Sequence, residues 1–99
     1  MDETATAKTA AAAWRTIDRL MTAVEGEGWA AGKGEADLCQ VAEGPEQGRL
    51  IWRVGRRDFA VEDEQVVETT LVDGLPTRRR VIGGEGVVRD DRIIHPCLN

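Results

Sequence analysis

The spacing of apolar residues over the first quarter of the chain is the feature that most restricts its fold. The apolar residues follow one another at intervals of three and four positions, which is the period of one face of an α-helix. They are Ala7, Ala10, Trp14, Ile17, Met21 and Val24, and we call this set the helix seam. The pattern predicts a helix from about Thr4 to Glu25, within a helical segment 1–28.

The helix seam has two interpretations. In the first, it is the face that lies on the body of its own domain, as in most amphipathic helices. In the second, part of it meets another subunit, because its first half is nearly all alanine and alanine lets helices approach closely. Three heptads are also the minimum length for a coiled coil.

A glycine-rich segment, 29–37, separates this helix from the rest of the chain. Gly26 and Gly28 are expected to end the helix. The segment follows no strand, opens onto no helix and lacks the Gly-Lys-Ser/Thr ending of a nucleotide-binding loop. The sequence therefore predicts a flexible loop that Trp29 anchors.

Residues 38–99 alternate between apolar and polar positions in short runs that turn residues separate. The alternation predicts Trp52 on the core face and Arg53 outside. Segment 66–72 is rich in Val and Thr, and the turn pair Asp73-Gly74 follows it. A last hairpin is expected from strands 87–89 and 92–95. The predicted fold is one α+β domain, 1–99, in which the long N-terminal helix packs on an antiparallel meander sheet or small barrel of about five to six strands.

The charge of the chain is uneven along its length. The formal net charge is -5, and residues 1–48 carry nine acids against four bases, whereas residues 49–99 carry nine of each. An acidic chain is a poor binder of nucleic acid. No apolar stretch is long enough for a membrane helix, and the N-terminus does not resemble a signal peptide. We therefore expect a cytoplasmic or virion-associated protein without direct nucleic-acid or membrane contact.

Candidate catalytic and metal-binding groups are few. Cys39, His95 and Cys97 are the soft metal ligands of the chain, one fewer than a structural zinc site needs. On a strand, His95 and Cys97 would share a face about 6–7 Å apart, which is too far for direct proton transfer. The carboxylate runs 62–64 and 90–91 resemble solvated turns, whereas general acid–base catalysis needs a desolvated group. The sequence predicts no catalytic site, no metal and no cofactor.

An arginine-rich strand supplies the second candidate contact surface. Alternation places Arg78 and Arg80 on one face of the strand and Arg79 on the other. Cross-strand ion pairs with the acids of the same sheet are the first interpretation. The second is an arginine-bearing surface that docks onto an acidic partner such as another copy of the chain. The arginines that join this surface are Arg53, Arg56, Arg57, Arg89 and Arg92. The candidate interaction residues are Ala7, Ala10, Trp14, Ile17, Met21, Arg53, Arg78, Arg79 and Arg80.

These features predict a non-enzymatic protein–protein interaction or assembly subunit, forming a homo-oligomer or part of a larger assembly. A structural component of a phage particle or of a similar complex is one example. The alternative is a small acidic inhibitor or accessory protein, of the anti-defence type, that binds one target enzyme or nucleoprotein. In that alternative the acids Glu25, Glu27, Glu35 and Asp37 compete for a basic site.

Overall fold

The computed structural model describes the backbone of residues 3–95 and the side chains of residues 7–95. It confirms the α+β fold: a long N-terminal helix packs on an open six-stranded antiparallel sheet whose strand order is the chain order. Of the two predicted sheet forms, the meander is therefore the one found. The helices are α1 (Glu3–Glu25) and α2 (Glu27–Gly32), followed by a 3-10 turn (Lys33–Glu35). The strands are β1 (Asp37–Gln40), β2 (Leu50–Val54), β3 (Arg57–Glu62), β4 (Gln65–Val72), β5 (Leu75–Ile82) and β6 (Val88–Ile93).

The glycine-rich segment is largely helical, so the predicted loop 29–37 is wrong. Gly26 ends α1 as expected, with a φ of 58°, but Gly28 lies inside α2. The low helix propensity of glycine is overridden here because α2 directs Trp29 into the core, where it is 1% exposed. Tertiary burial therefore decides the conformation of this segment.

The core lies between α1 and one face of the sheet, which we call the inner face. Its aromatic residues form one continuous cluster, in which Trp14 lies 5.0 Å from Trp52 and 5.8 Å from Trp29, between ring centroids. Trp29 in turn meets Phe59 edge-on at 5.3 Å. Such tilted and edge-to-face contacts add to the stabilisation from burial. The aliphatic core residues around them are Ile17, Leu20, Met21, Val54, Val66 and Ile82.

The predicted last hairpin is also wrong. Strand β6 runs straight through Asp90 and Asp91, which lie opposite Val81 and Arg80 of β5. Alternation on one strand could not show this, because the two acids resemble a turn until the arginines of β5 lie beside them. The chain reverses earlier, in the 83–87 loop, where the Val87 carbonyl accepts a hydrogen bond of 2.8 Å from Gly83 N.

Candidate interaction surface

The structure places the helix seam on the sheet of its own chain. Ala10, Ile17 and Met21 are all at most 4% exposed, and Trp14 is half-buried against the aromatic cluster. This agrees with the first interpretation of the seam. These four positions are used for packing within one chain, and Ala7 is the predicted seam contact that remains exposed.

A buried ion-pair cluster lies on the inner face, beneath the C-terminal end of α1. Glu68 of β4 is 2% exposed and lies opposite Arg80 of β5. Its Oε1 accepts a hydrogen bond from Arg80 Nε at 2.6 Å, and its Oε2 accepts one from Arg57 Nη1 at 2.9 Å. Glu25, the last residue of α1, accepts hydrogen bonds from Arg57 at 2.9 Å and Arg80 at 3.1 Å. Two acids and two bases therefore neutralise one another.

The ion-pair cluster is a structural feature and not a set of reactive groups. Hydrogen bonding to Glu68 raises the pKa of Arg80, which keeps the guanidinium charged. The last turn of α1 has no basic residue of its own, so the two arginines also supply the positive charge that a helix C-terminus favours. Both oxygens of Glu68 are occupied by guanidinium groups, which leaves neither positioned as a general base.

The other predicted arginines divide into paired and unpaired residues. Arg53 forms a bidentate pair with Asp58, with distances of 2.7 and 3.0 Å. Arg78 pairs with Asp91 of β6 in the same bidentate way, and hydrogen bonding from Arg78 lowers the pKa of Asp91. Arg79 points to the opposite face, as predicted, and no ion pair is seen for it among residues 7–95. Cross-strand pairing within the sheet thus accounts for Arg53, Arg78 and Arg80.

The predicted acids of the first half are also divided. Glu25 belongs to the ion-pair cluster. Glu27, Glu35 and Asp37 are exposed, and the described residues show no ion pair for them. Their placement leaves three of the four acids of the inhibitor alternative on the surface.

The soft metal ligands predicted from the sequence are not brought together in the described part of the chain. Within it, no three histidine, cysteine or carboxylate side chains come together as a metal site requires. Cys39 is a half-buried free thiol on β1, and His95 is exposed. Cys97 and the terminal segment 96–99 lie outside the described residues.

We call the face of the sheet that α1 and α2 do not contact the outer face. A row of apolar residues crosses five strands in the middle of this face. Cys39 pairs with Ile51, Ala60 with Val67, and Val67 with Val81. Ile51 lies opposite Ala60 when the register of Trp52 and Phe59 is continued. We call the set Cys39, Ile51, Ala60, Val67 and Val81 the apolar row.

A second row beside the apolar row is charged. It crosses all six strands, one residue from each, through direct cross-strand partners. This charged row consists of Asp37, Arg53, Asp58, Thr69, Arg79 and Arg92. The outer face therefore has an apolar centre with a polar border.

The described residues line one small cavity on the outer face and larger grooves beside α1. A cavity of about 110 Å³ lies over the apolar row, where Arg49, Ile51, Ala60 and Val67 line it. Ligand pockets usually measure about 300 Å³ or more. Two larger grooves, of about 450 and 500 Å³, lie beside α1 around Thr16 and Val61, and neither is lined by histidine or cysteine.

Sequence reasoning missed Glu68 and the apolar row, and it placed Arg57 on the arginine-bearing surface instead of in the ion-pair cluster. Alternation from Val66 already places Glu68 on the core face of β4, and this was the available signal for a buried charge. The apolar row has no signal in any single strand, because it exists only when five strands are aligned in register.

Comparison with protein-family models, with curated proteins and with solved structures gives no match for this chain. Neither helix among residues 3–95 combines the length and the hydropathy that crossing a membrane requires.

Proposed function

We propose that this chain is a non-enzymatic protein–protein interaction or assembly subunit, and that its outer sheet face is the contact surface. The observation that carries the proposal is the apolar row of Cys39, Ile51, Ala60, Val67 and Val81 on a face that neither helix covers, in which Cys39, Ile51 and Val81 are half-buried and Ala60 and Val67 are 8% exposed. The phage-particle example and the localisation stay predictions.

The distribution of residues on the outer face supports a protein contact. An antiparallel sheet with one solvated face normally carries polar residues on that face. Here the centre is apolar and the border is charged, which is the arrangement of many protein interfaces. The small cavity over Ala60 and Val67 is an uneven part of such a surface rather than a ligand pocket.

The proposal is tested by Val81→Lys, which places a charge on the apolar row. Val81 is half-buried and does not belong to the core under α1, so the variant should fold. A tagged chain is isolated from its source cells under native conditions, and the mass of its complex is measured. We expect Val81→Lys to lose the complex.

The matched control is Leu75→Lys, because Leu75 is 62% exposed beside the β4–β5 turn and lies outside the apolar row. It should keep the complex. Circular dichroism melting of both variants checks that the fold is retained. A complex that survives Val81→Lys unchanged would remove the outer face as the contact surface.

A second candidate function, an acidic inhibitor of a basic site, is favoured by one observation. Glu27, Glu35 and Asp37 are exposed and show no ion pair among residues 7–95. In this case the isolated complex should dissociate as salt is raised, and the combined variant Glu27→Gln, Glu35→Gln and Asp37→Asn should lose the partner. A partner retained by this variant at all salt concentrations contradicts the inhibitor candidate.

A further inference from the structure

We infer that copies of this chain assemble head to tail, with strand β6 of one copy pairing with strand β1 of the next, so that the sheet continues from copy to copy. This pairing goes beyond the proposed function, because it uses the two free edges of the sheet and not its outer face. Three features of the edges support it: the exposed apolar side chains, the backbone groups that face outward, and the charges.

The exposed large apolar side chains of residues 7–95 are concentrated at the two free edges. Strands β1 and β6 each have a single neighbouring strand, so each leaves one edge of the sheet unpaired. Five of the six exposed large apolar side chains lie on these two strands or directly beside them. They are Leu38, Val87, Val88, Ile93 and Ile94. A free edge with exposed apolar residues is a template for pairing with another chain.

The two edge strands lack common obstacles to such pairing. Lysine and proline, which natural sheets place at free edges to block it, are absent from β1 and β6. The four charged residues of β6 are already neutralised within the chain. Their ion pairs are Arg89 with Glu85, Asp90 with Arg92, and Asp91 with Arg78. Pairing at this edge therefore covers no unpaired charge of β6.

The hydrogen bonds between β1 and β2 decide which backbone groups of β1 face its free edge. Directly after β1, Val41 N donates to Arg49 O, and these two residues continue the register of the strand pair. In an antiparallel pair, alternate residues bond to the neighbouring strand and the residues between them point away. The N–H and C=O groups of Leu38 and Gln40 therefore face the free edge.

The same reasoning applies to β6 and its neighbour β5. Ile94 N donates to Thr77 O, directly after the last residues of the paired register. Alternation then turns the N–H and C=O groups of Asp91 and Ile93 away from β5. Each edge thus presents two residues whose backbone groups can bond to a further strand.

The two edges fit each other in one antiparallel register. Because the sheet has six alternating strands, β1 and β6 run in opposite directions, and a copy placed beside β6 in the same orientation presents an antiparallel β1. When Ile93 lies opposite Leu38 of the next copy, Asp91 lies opposite its Gln40, and the two pairs exchange about four backbone hydrogen bonds. The side chains of Ile93 and Leu38, which are 74% and 42% exposed, then meet on the inner side of the continued sheet.

Charge disfavours the pairing of either edge with its own kind. Segment 26–48, around β1, carries five acids and one base, so two β1 edges repel each other. A two-fold pairing of β6 with β6, centred on position 90, 91 or 92, places Asp90, Asp91 or Arg92 opposite the same residue of the second copy. Like charges directly opposite each other are destabilising. The pairing of β6 with β1 avoids both contacts.

A contact between two different edges does not close on itself. Each copy leaves one β1 edge and one β6 edge free, so further copies can add at both ends. Six strands per copy give a repeat of about 29 Å, and the twist of roughly 20–25° between neighbouring strands makes the chain of copies helical. Stable complexes bury about 800 Å² per partner, and this edge contact involves only a few residues. We therefore expect weak assembly that depends on protein concentration.

The test is sedimentation velocity of the purified full chain from micromolar to millimolar concentration. We expect the average mass to rise beyond that of a dimer. Leu38→Pro and Ile93→Pro each remove an N–H that faces a free edge, and they leave the N–H groups that bond within the sheet. Each variant alone should assemble at least roughly tenfold more weakly, because one edge of every copy lacks a hydrogen-bond donor.

An equimolar mixture of the two variants distinguishes unlike from like edges. Leu38→Pro keeps an intact β6, and Ile93→Pro keeps an intact β1, so the mixture should form a 1:1 dimer and no larger species. Circular dichroism melting checks that each variant folds. If a proline variant does not fold, Leu38→Lys and Ile93→Lys replace the pair with the same expected results, because an edge lysine also blocks strand pairing.

Two further variants are matched controls. Val81→Lys and Leu75→Lys change residues outside β1 and β6, so both should leave the head-to-tail assembly unchanged. Val81→Lys therefore separates the two surfaces, since it should remove the complex of the proposed function while the edges still pair.

Three results would overturn the inference. The first is a parent chain that stays monomeric at millimolar concentration. The second is a single variant that assembles as well as the parent, as pairing of like edges or another surface would allow. The third is a mixture of folded variants that stays monomeric. None of these removes the proposed function, which fails separately if Val81→Lys leaves the native complex intact.

Discussion

Glu68 of β4 and Arg80 of β5 form a buried bidentate ion pair, with Glu68 Oε1 2.6 Å from Arg80 Nε and Glu68 Oε2 2.8 Å from Arg80 Nη2. The two residues are direct cross-strand partners, and Glu68 is 2% exposed. The ion pair lies at the edge of a core whose other buried residues are apolar. Removing one partner would leave the other charge buried with too few counter-charges.

We expect Glu68→Ala to lower the free energy of unfolding by about 3–5 kcal/mol, the usual cost of breaking a buried pair. The double variant Glu68→Leu with Arg80→Leu should recover most of this loss, because no buried charge is left unpaired and Arg57 keeps Glu25. Urea unfolding of the three chains measures both effects. A Glu68→Ala chain as stable as the parent would mean that the cluster is solvated.

Asp18 of α1 forms hydrogen bonds with Trp29 of α2 and with Lys33, and these should make the free energy of unfolding depend on pH. Its carboxylate accepts hydrogen bonds from Trp29 Nε1 at 2.8 Å and Lys33 Nζ at 3.0 Å, and these lower its pKa below the ordinary value of 3.8. A group with a lowered folded pKa stabilises the fold above its unfolded pKa and loses that contribution as the pH falls through the folded pKa. We expect Asp18→Asn to be less stable than the parent at neutral pH.

The difference between the parent and Asp18→Asn should shrink as the pH falls from about 5 to about 2. Urea unfolding at several pH values measures it. Glu43→Gln, at an exposed position outside any described ion pair, should show no such convergence. A constant difference across the range would contradict the role given to the Asp18 charge.

Trp29 should matter more to stability than Trp14, although the two rings touch. Trp29 is 1% exposed and contacts Phe59, whereas Trp14 is half-buried. We expect Trp29→Ala to cost about 3–5 kcal/mol and Trp14→Ala less, as measured by urea unfolding. If Trp14→Ala is the more destabilising of the two, the assigned centre of the core is wrong.

The periodicity of the sequence predicted α1 and most of the strands, but not which side chains these elements bring into contact. The spacing from Ala7 to Val24 predicted α1, and the face that it marks is buried or half-buried from Ala10 onwards. Alternation predicted that Arg79 and Arg80 point to opposite faces. The conformation of 29–37 depends on where Trp29 is buried, which no local pattern records. Glycine content alone therefore predicted a loop where the core imposes a helix.

The candidate surface illustrates the same limit. The sequence indicated arginine-rich strands, and the structure shows that Arg53, Arg78 and Arg80 are neutralised by acids from neighbouring strands. Which charges remain unpaired depends on the register of six strands. The apolar row depends on it as well, because shifting one strand by a single residue would exchange its apolar and polar faces.

The β3–β4 hairpin offers a stabilising substitution. Its two-residue turn is Asp63-Glu64, and both residues have positive φ, of 50° and 63°. The β4–β5 turn has the same length and uses Asp73-Gly74, which suits two positive φ values better. We expect Glu64→Gly to raise the free energy of unfolding by about 0.5–1 kcal/mol, because glycine adopts this backbone without steric strain.

Thermal melting of Glu64→Gly against the parent measures the gain. Glu43→Gly, at an exposed position outside this turn, is the control, and it should not raise the melting temperature. An unchanged or lower melting temperature for Glu64→Gly would show that the hairpin is not strained in the way its dihedral angles indicate.

Gly86 fixes the distance between the β5–β6 loop and α1. Its φ is 76°, and a Cβ atom at this position would lie 2.7 Å from Ala23 Cβ of α1. Gly86→Ala therefore adds a steric clash to backbone strain. Gly74 is the matched control, because its φ of 80° brings the same strain while nothing lies within 4 Å of an added Cβ. We expect Gly74→Ala to cost roughly 1–2 kcal/mol and Gly86→Ala clearly more, as measured by urea unfolding.

Ala23→Gly in the Gly86→Ala chain tests the origin of the excess cost. Removing the Ala23 methyl group should relieve the clash, although a glycine within α1 itself costs about 1 kcal/mol. A double-mutant cycle separates the two terms, and we expect a favourable coupling between the substitutions. If Gly86→Ala costs no more than Gly74→Ala, or if the cycle shows no coupling, then the loop does not pack against α1 at Ala23.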